Sequence, residues 1–196
     1  MSASVVPAQK RDEWMGLMID ATNHIAQIVD GVRTFGRPTP FELRPTPALQ
    51  PLQRAGALVA PELGDAGVDV AERFDAELPS IHANSERLQQ VFINLLVNAC
   101  DALVDGGVTT PRIVVSAAVG DGVVLFSVSD NGPGVAAAHR DQVFEPFFTT
   151  KEVKGTGLGL SVSAGIVREH HGAIALRENA DGGSTFVVSI PIDGAG

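Results

Sequence analysis

Glu86-Arg-Leu-Gln-Gln-Val-Phe-Ile-Asn-Leu-Leu-Val-Asn-Ala-Cys-Asp-Ala-Leu103 reads as a helix that is apolar on almost every side. One narrow polar stripe interrupts it. Gln90, Asn94, Asn98 and Asp101 recur at intervals of four, four and three, so they share a face. Asn and Asp are poor residues for a helix interior, and buried amides must find partners. Read alone, the stripe is either a docking face for something polar or a solvated helix edge.

The composition bounds the answer. The chain has 196 residues, 44% hydrophobic and 19% charged, enough to bury a core in one ordinary domain plus an appendage. A formal charge of −9 argues against a general nucleic-acid or anionic-membrane binder. The single cysteine, Cys100, excludes an intrachain disulfide framework and a multi-cysteine zinc site, and fits a reducing cytoplasm. No apolar run has membrane-spanning length, and Met1–Lys10 lacks the apolar core of a signal peptide. The expectation is a cytoplasmic protein, or the cytoplasmic part of a membrane-anchored receptor.

Upstream of the opening helix, Trp14, Met18, Ala21, Ile25, Ile28, Val32 and Phe35 recur in steps of four and three, a heptad seam that needs a partner helix. Residues 37–47 carry four prolines and read as a linker. Ala48–Leu63 reads as a helix interrupted by Pro61, Val68–Phe74 as a weak strand, and Leu78–Ala83 as its partner. Asn84 or Ser85 can cap the long helix.

Downstream, Arg112–Val119 and Val123–Ser129 are β-branched strands joined by Gly120-Asp-Gly122, a hairpin signal. The second strand runs into Asp130-Asn-Gly-Pro-Gly134. There a carboxylate enters a turn, where it can accept a hydrogen bond from an exocyclic amine. Three phenylalanines in Phe144-Glu-Pro-Phe-Phe148 are expected to plug a hydrophobic slot and hinge the loop that follows. Gly155-Thr-Gly-Leu-Gly159 then opens a helix to about His170, leaving backbone amides at its positive end for an anion. It is neither a Walker loop nor a clean dinucleotide fingerprint. A closing hairpin, Gly172–Arg177 and Ser184–Ile192, is turned by Asp181-Gly182-Gly183.

Asn-x-x-x-Asn-Ala on a helix, Asp-x-Gly-x-Gly after a strand, Phe-x-Pro-Phe, and Gly-Thr-Gly-Leu-Gly-Leu, in that order, resemble the ATP-binding domain of sensor histidine kinases. These kinases belong to the superfamily that includes Hsp90, MutL and gyrase B. The stretches Phe144–Lys151 and Gly155–Ser163 look most like the nitrogen-regulation and dicarboxylate-sensing subgroup. The resemblance covers about Ala48–Ile192. It implies an α+β fold, a two-layer sandwich whose mixed sheet is covered on one face by helices, preceded by one long N-terminal helix. It implies three parts: residues 1–36 as the second helix of a dimerisation hairpin, 37–47 as linker, and 48–193 as the catalytic domain.

By position, the resemblance assigns Asp130 to the adenine amine and Gly132 and Gly134 to the adenine pocket. Asn98 becomes a Mg²⁺ ligand, and Asn94 the candidate catalytic residue at the phosphates. Lys151 can reach a phosphate. Gly155, Thr156, Gly157, Leu158, Gly159 and Leu160 supply amides, Thr185 supports the base, and the segment from Lys151 to Lys154 forms a short lid. Superfamily members that hydrolyse ATP carry Glu where this chain has Asn94, and an amide cannot be a general base. Phosphoryl transfer to a protein acceptor therefore fits better.

None of His24, His82, His139, His170 and His171 stands in the acceptor context of these kinases, and the His170-His171 pair reads as solvated. The resemblance implies an acceptor histidine outside this chain, a response-regulator partner, and a homodimer through the N-terminal helix. A nucleotide-dependent interaction module and an anti-sigma-type serine kinase are the alternatives.

Overall fold

The computed structural model describes residues 42–150, 156–179 and 182–192. The expected helix over Arg11–Phe35, the start of the linker, Lys151, Gly155, the lid and Asp181 lie outside the described residues. The elements are β1 (Arg44–Pro47), α1 (Leu49–Asp65), β2 (Asp69–Phe74), β3 (Ser80–Ala83), α2 (Ser85–Asp105), β4 (Arg112–Val119), β5 (Val123–Asp130), α3 (Gly159–Glu169), β6 (Ala173–Glu178) and β7 (Ser184–Pro191). A short 3-10 turn spans Ala137–His139.

The opening stretch forms α2. Asn84 caps it, its side-chain oxygen accepting the Arg87 N–H at 3.1 Å, and Glu86 sits in the first turn. Its buried residues are Leu88, Val91, Phe92, Leu95, Leu96, Ala99, Cys100 and Leu103, a stripe with helical period. The helix is therefore less enclosed than its composition implies. Ile93 and Val97 are half-buried and Val104 is exposed. Phe92 packs on Phe126 of β5 with ring centroids 5.1 Å apart, tying the helix to the sheet.

Five strands form one sheet in the order β2-β4-β5-β7-β6, with β2 parallel to β4 and every other pair antiparallel. Strict alternation buries Ile113, Val115 and Ala117 of β4, Val124, Phe126 and Val128 of β5, and Phe186, Val188 and Ile190 of β7 against the helices. The mixed sheet covered on one face by helices is the expected fold class.

Three local expectations change. β3 does not pair with β2; it pairs antiparallel with β1, Arg44 opposite Ala83, and the Thr46 hydroxyl donates to the Ala83 carbonyl at 3.1 Å. β2 instead runs parallel to β4 at the sheet edge, where most of its side chains are exposed, which is why its apolar alternation is weak. The end of the linker stretch is thus a paired strand. Pro61 does not interrupt α1, because Leu52, Ala55, Val59 and Leu63 hold the helix against α2 on both sides of it. Among the described residues no helix is long and apolar enough to cross a membrane.

Candidate functional site

Asp130 is the last residue of β5, and its burial follows from strand periodicity. Val124, Phe126, Val128 and Asp130 occupy one face, so the carboxylate ends a hydrophobic row. It is 6% exposed. Its Oδ1 accepts the Gly132 N–H at 2.8 Å and the Ser184 N–H at 3.2 Å. Both donors converge on Oδ1, so Oδ2 is the oxygen left for a ligand. Burial raises the Asp130 pKa above the ordinary 3.8, while the N–H groups of Gly132 and Ser184 pull it back down.

The turn after Asp130 lies on the last turns of α2. A Cβ on Gly106 would stand 2.9 Å from the Pro133 ring, and one on Gly132 would stand 3.6 Å from the Ala102 carbonyl oxygen. Gly183 approaches from the β6–β7 turn. It has φ +80°, and a Cβ there would lie 2.2 Å from the Asp130 carbonyl oxygen. Gly134 faces the same glycine across the two loops. Thr185 bonds to the Ser129 hydroxyl at 2.9 Å and to the Asn179 side chain.

The middle of α2 meets the N-terminus of α3. Gly159 permits the approach: a Cβ would lie 2.4 Å from Asn94 Oδ1. Asn94 Nδ2 donates to the buried Ser163 hydroxyl at 2.9 Å. Gln90, Ile93, Asn94, Val97, Leu158, Gly159, Val162 and Ser163 line a cleft of about 190 Å³ here. No described side chain caps α3. Leu158 N–H is taken by the Thr156 hydroxyl at 3.2 Å, whereas the Gly159 and Leu160 amides stand in the first turn, where a helix offers no internal acceptor. These two amides therefore suit an anion better than that of Leu158. The Gly157 carbonyl accepts the Phe147 N–H at 2.9 Å, linking the glycine segment to the phenylalanine loop.

α2 thus joins the two ends. Asn94 and Ala102 are eight residues apart, about 12 Å along the helix, and Asn98 stands half-buried midway. That length suits a nucleotide with its base at Asp130 and its phosphates at α3. Asn98 and Asn94 offer amide oxygens, hard donors of the kind that would suit a Mg²⁺ ion. Among the described residues no cluster of three or more His, Cys, Asp or Glu could hold a metal ion.

The phenylalanines behave unequally. Phe144 is half-buried and packs edge-on against Phe186, and Phe148 is half-buried beside His139. Phe147 is 73% exposed at φ +67°, so it does not plug a slot. The histidine pair also divides. His171 is exposed, but His170 is 2% exposed and bonded through both ring nitrogens. Sequence reading missed Ser163 and Asn179. Ser163 lies one turn after Gly159 on the same helix face, a spacing that could have exposed it; Asn179 had no such signal.

Residues 83–194 match the family described as histidine kinase-, DNA gyrase B- and HSP90-like ATPase. The sensory histidine kinase/phosphatase NtrB of Rhodobacter capsulatus is 34% identical over 92% of this chain and 52% of its own length. The C4-dicarboxylate transport sensor DctB of Rhizobium meliloti is 37% identical over 91% of this chain and 28% of its own. The chain spans about half or less of these relatives. The catalytic domain of histidine kinase ThkA, solved nucleotide-free, superposes with a TM-score of 0.68 at 28% identity, covering 77% of this chain and 96% of that one.

Proposed function

The chain belongs to the histidine kinase-, DNA gyrase B- and HSP90-like ATPase family, as an ATP-binding catalytic domain of the sensor histidine kinase type, and we propose that it transfers the ATP γ-phosphate to a histidine outside residues 1–196. One arrangement carries this reading: α2 has a buried carboxylate at its C-terminal end and, at Asn94 in its middle, the N-terminus of α3, which no described side chain caps. Asp130 Oδ2 accepts the adenine amine, with Gly132, Gly134 and Thr185 shaping the wall around it. The amides of Gly159 and Leu160 hold the phosphates, with Lys151, Gly155, Thr156, Gly157 and Leu158 around them.

Asn98 would hold a Mg²⁺ ion, which would supply charge neutralisation at the phosphates. Asn94, held by Ser163, orients the phosphate end and withdraws no proton from water. The γ-phosphoryl group leaves the β,γ-bridging oxygen and bonds to an acceptor imidazole nitrogen, with ADP departing. Positioning and charge neutralisation do most of such work. His82 lies on β3, His139 beside Phe148 and His170 in the core, and we assign the acceptor role to none of them. A response regulator is the partner we propose for the phosphorylated product, and the heptad seam of residues 14–35 for dimerisation.

The test supplies the chain with γ-labelled ATP and a separate hairpin helix bearing the acceptor. Acid-labile label on the added helix supports the reading. ATP binding with no transfer favours a nucleotide-dependent interaction module, and acid-stable label on serine favours a serine kinase.

A further inference from the structure

We propose that Asn179 is a positioning residue that aims the Asp130 carboxylate at the exocyclic amine of the bound purine. Asn179 follows β6 and reaches across the sheet end. Its Nδ2 donates to the Asp130 carbonyl at 2.7 Å, the Ser129 hydroxyl at 3.0 Å and the Ser184 carbonyl at 3.2 Å. Two of these partners are carbonyl oxygens, which only accept, so the amide orientation is fixed by chemistry. Its Oδ1 accepts the Thr185 hydroxyl. The Asn179 main chain meanwhile closes the β6–β7 turn, its carbonyl accepting the Gly182 N–H at 3.2 Å.

These bonds have one geometric effect. Ser184 N–H holds Asp130 Oδ1, and Asn179 holds the carbonyl oxygens of both Asp130 and Ser184. One side-chain amide therefore ties the backbone that carries the carboxylate to the backbone of Ser184, whose N–H holds it. Gly183 lets the turn press against the Asp130 carbonyl where a side chain would collide. Removing the Asn179 amide leaves two carbonyls without its hydrogen bonds and frees the β5 end to rotate, which turns Oδ2 away from the base. Asn179 acts through Asp130 and contributes to preference for a purine that carries an amine. The inference rests on the reading of Asp130 as the base-binding residue.

The experiment measures affinity of the full chain for Mg·ATP and for purine riboside triphosphate, which lacks the amine, in parent, Asp130→Asn and Asn179→Ala proteins. We expect Asn179→Ala to weaken ATP binding about tenfold, the loss of roughly one well-made buried hydrogen bond. Purine riboside triphosphate should bind it as it binds the parent. Equal losses for both nucleotides mean a merely structural role and overturn the proposal. If parent and Asp130→Asn proteins both bind the two nucleotides alike, the Asp130 reading fails and this inference falls with it. If Asp130→Asn removes the preference for ATP but Asn179→Ala keeps it, only the Asn179 proposal falls. Asn179→Asp guards against misfolding of the alanine variant. It keeps the size and the acceptor for Thr185, turns an oxygen towards two carbonyls, and should show the same loss selective for ATP.

Discussion

His170 Nε2 accepts the backbone N–H of Asn84 at 3.0 Å, joining the end of α3 to the cap of α2. The other ring nitrogen, Nδ1, faces the Ile166 carbonyl at 2.8 Å, so it must donate. The imidazole is therefore the neutral Nδ1–H tautomer, and a protonated ring could not accept from Asn84. The two helices that frame the cleft at Asn94 and Gly159 are pinned by one histidine.

This bond predicts a pH dependence of stability. Burial lowers the His170 pKa below 6.5, opposed by its bond to the Ile166 carbonyl. With the folded pKa depressed, the unfolded chain takes up the proton first. Stability from His170 is complete above about pH 6.5 and is lost as pH falls below it towards the folded pKa. His170→Ala should cost about 2 kcal/mol at pH 7.5 and lose less than the parent on moving to pH 5. Thermal denaturation of both proteins at the two pH values checks it. An identical pH response would remove His170 as the titrating group.

Asp130→Asn should weaken ATP binding by roughly ten- to a hundredfold, because an amide presents a donor where an acceptor is needed. In the parent, affinity should fall as pH drops through the raised pKa of Asp130, so the loss begins at a higher pH than for an ordinary aspartate. Isothermal titration calorimetry across pH tests both.

Gly182 and Gly183 both adopt positive φ, yet their alanine variants should differ. A Cβ on Gly183 would sit 2.2 Å from the Asp130 carbonyl oxygen, whereas on Gly182 its nearest described neighbour would be 3.9 Å away. Gly182→Ala should cost about 1 kcal/mol, the penalty of a left-handed backbone. Gly183→Ala adds a backbone collision, should cost about 2 kcal/mol or more, and should also impair ATP binding. Chemical denaturation with parallel nucleotide titration separates the two; equal costs would contradict the packed contact at Gly183.

Asn98→Ala should abolish most of the difference between ATP affinity with Mg²⁺ and with excess chelator. Nucleotide titrations with and without Mg²⁺ read this directly. If the variant keeps the parent's full Mg²⁺ dependence, Asn98 is not the metal ligand.

Much of this was legible in the chain. The period of α2, the strand pair β4–β5 and the turn glycines follow from local patterns, because neighbours on a helix face or a strand face are fixed by covalent geometry. The order of the motifs pointed to the nucleotide-binding family, which the comparisons bear out.

Long-range partners were not legible. Leu78–Ala83 looked like the partner of β2 because it was nearest, yet β1 takes it. His170 looked solvated beside His171, and only the packing of α3 on α2 buries it. Asn179 carried no sign of its role, since its partners Ser129 and Asp130 lie some fifty residues earlier. The sequence by itself determined which residues share a face and which turns need glycine. Only the tertiary structure decided which polar groups meet across elements, because a buried donor takes whichever acceptor the packed core brings within reach, and sequence distance carries no information about that.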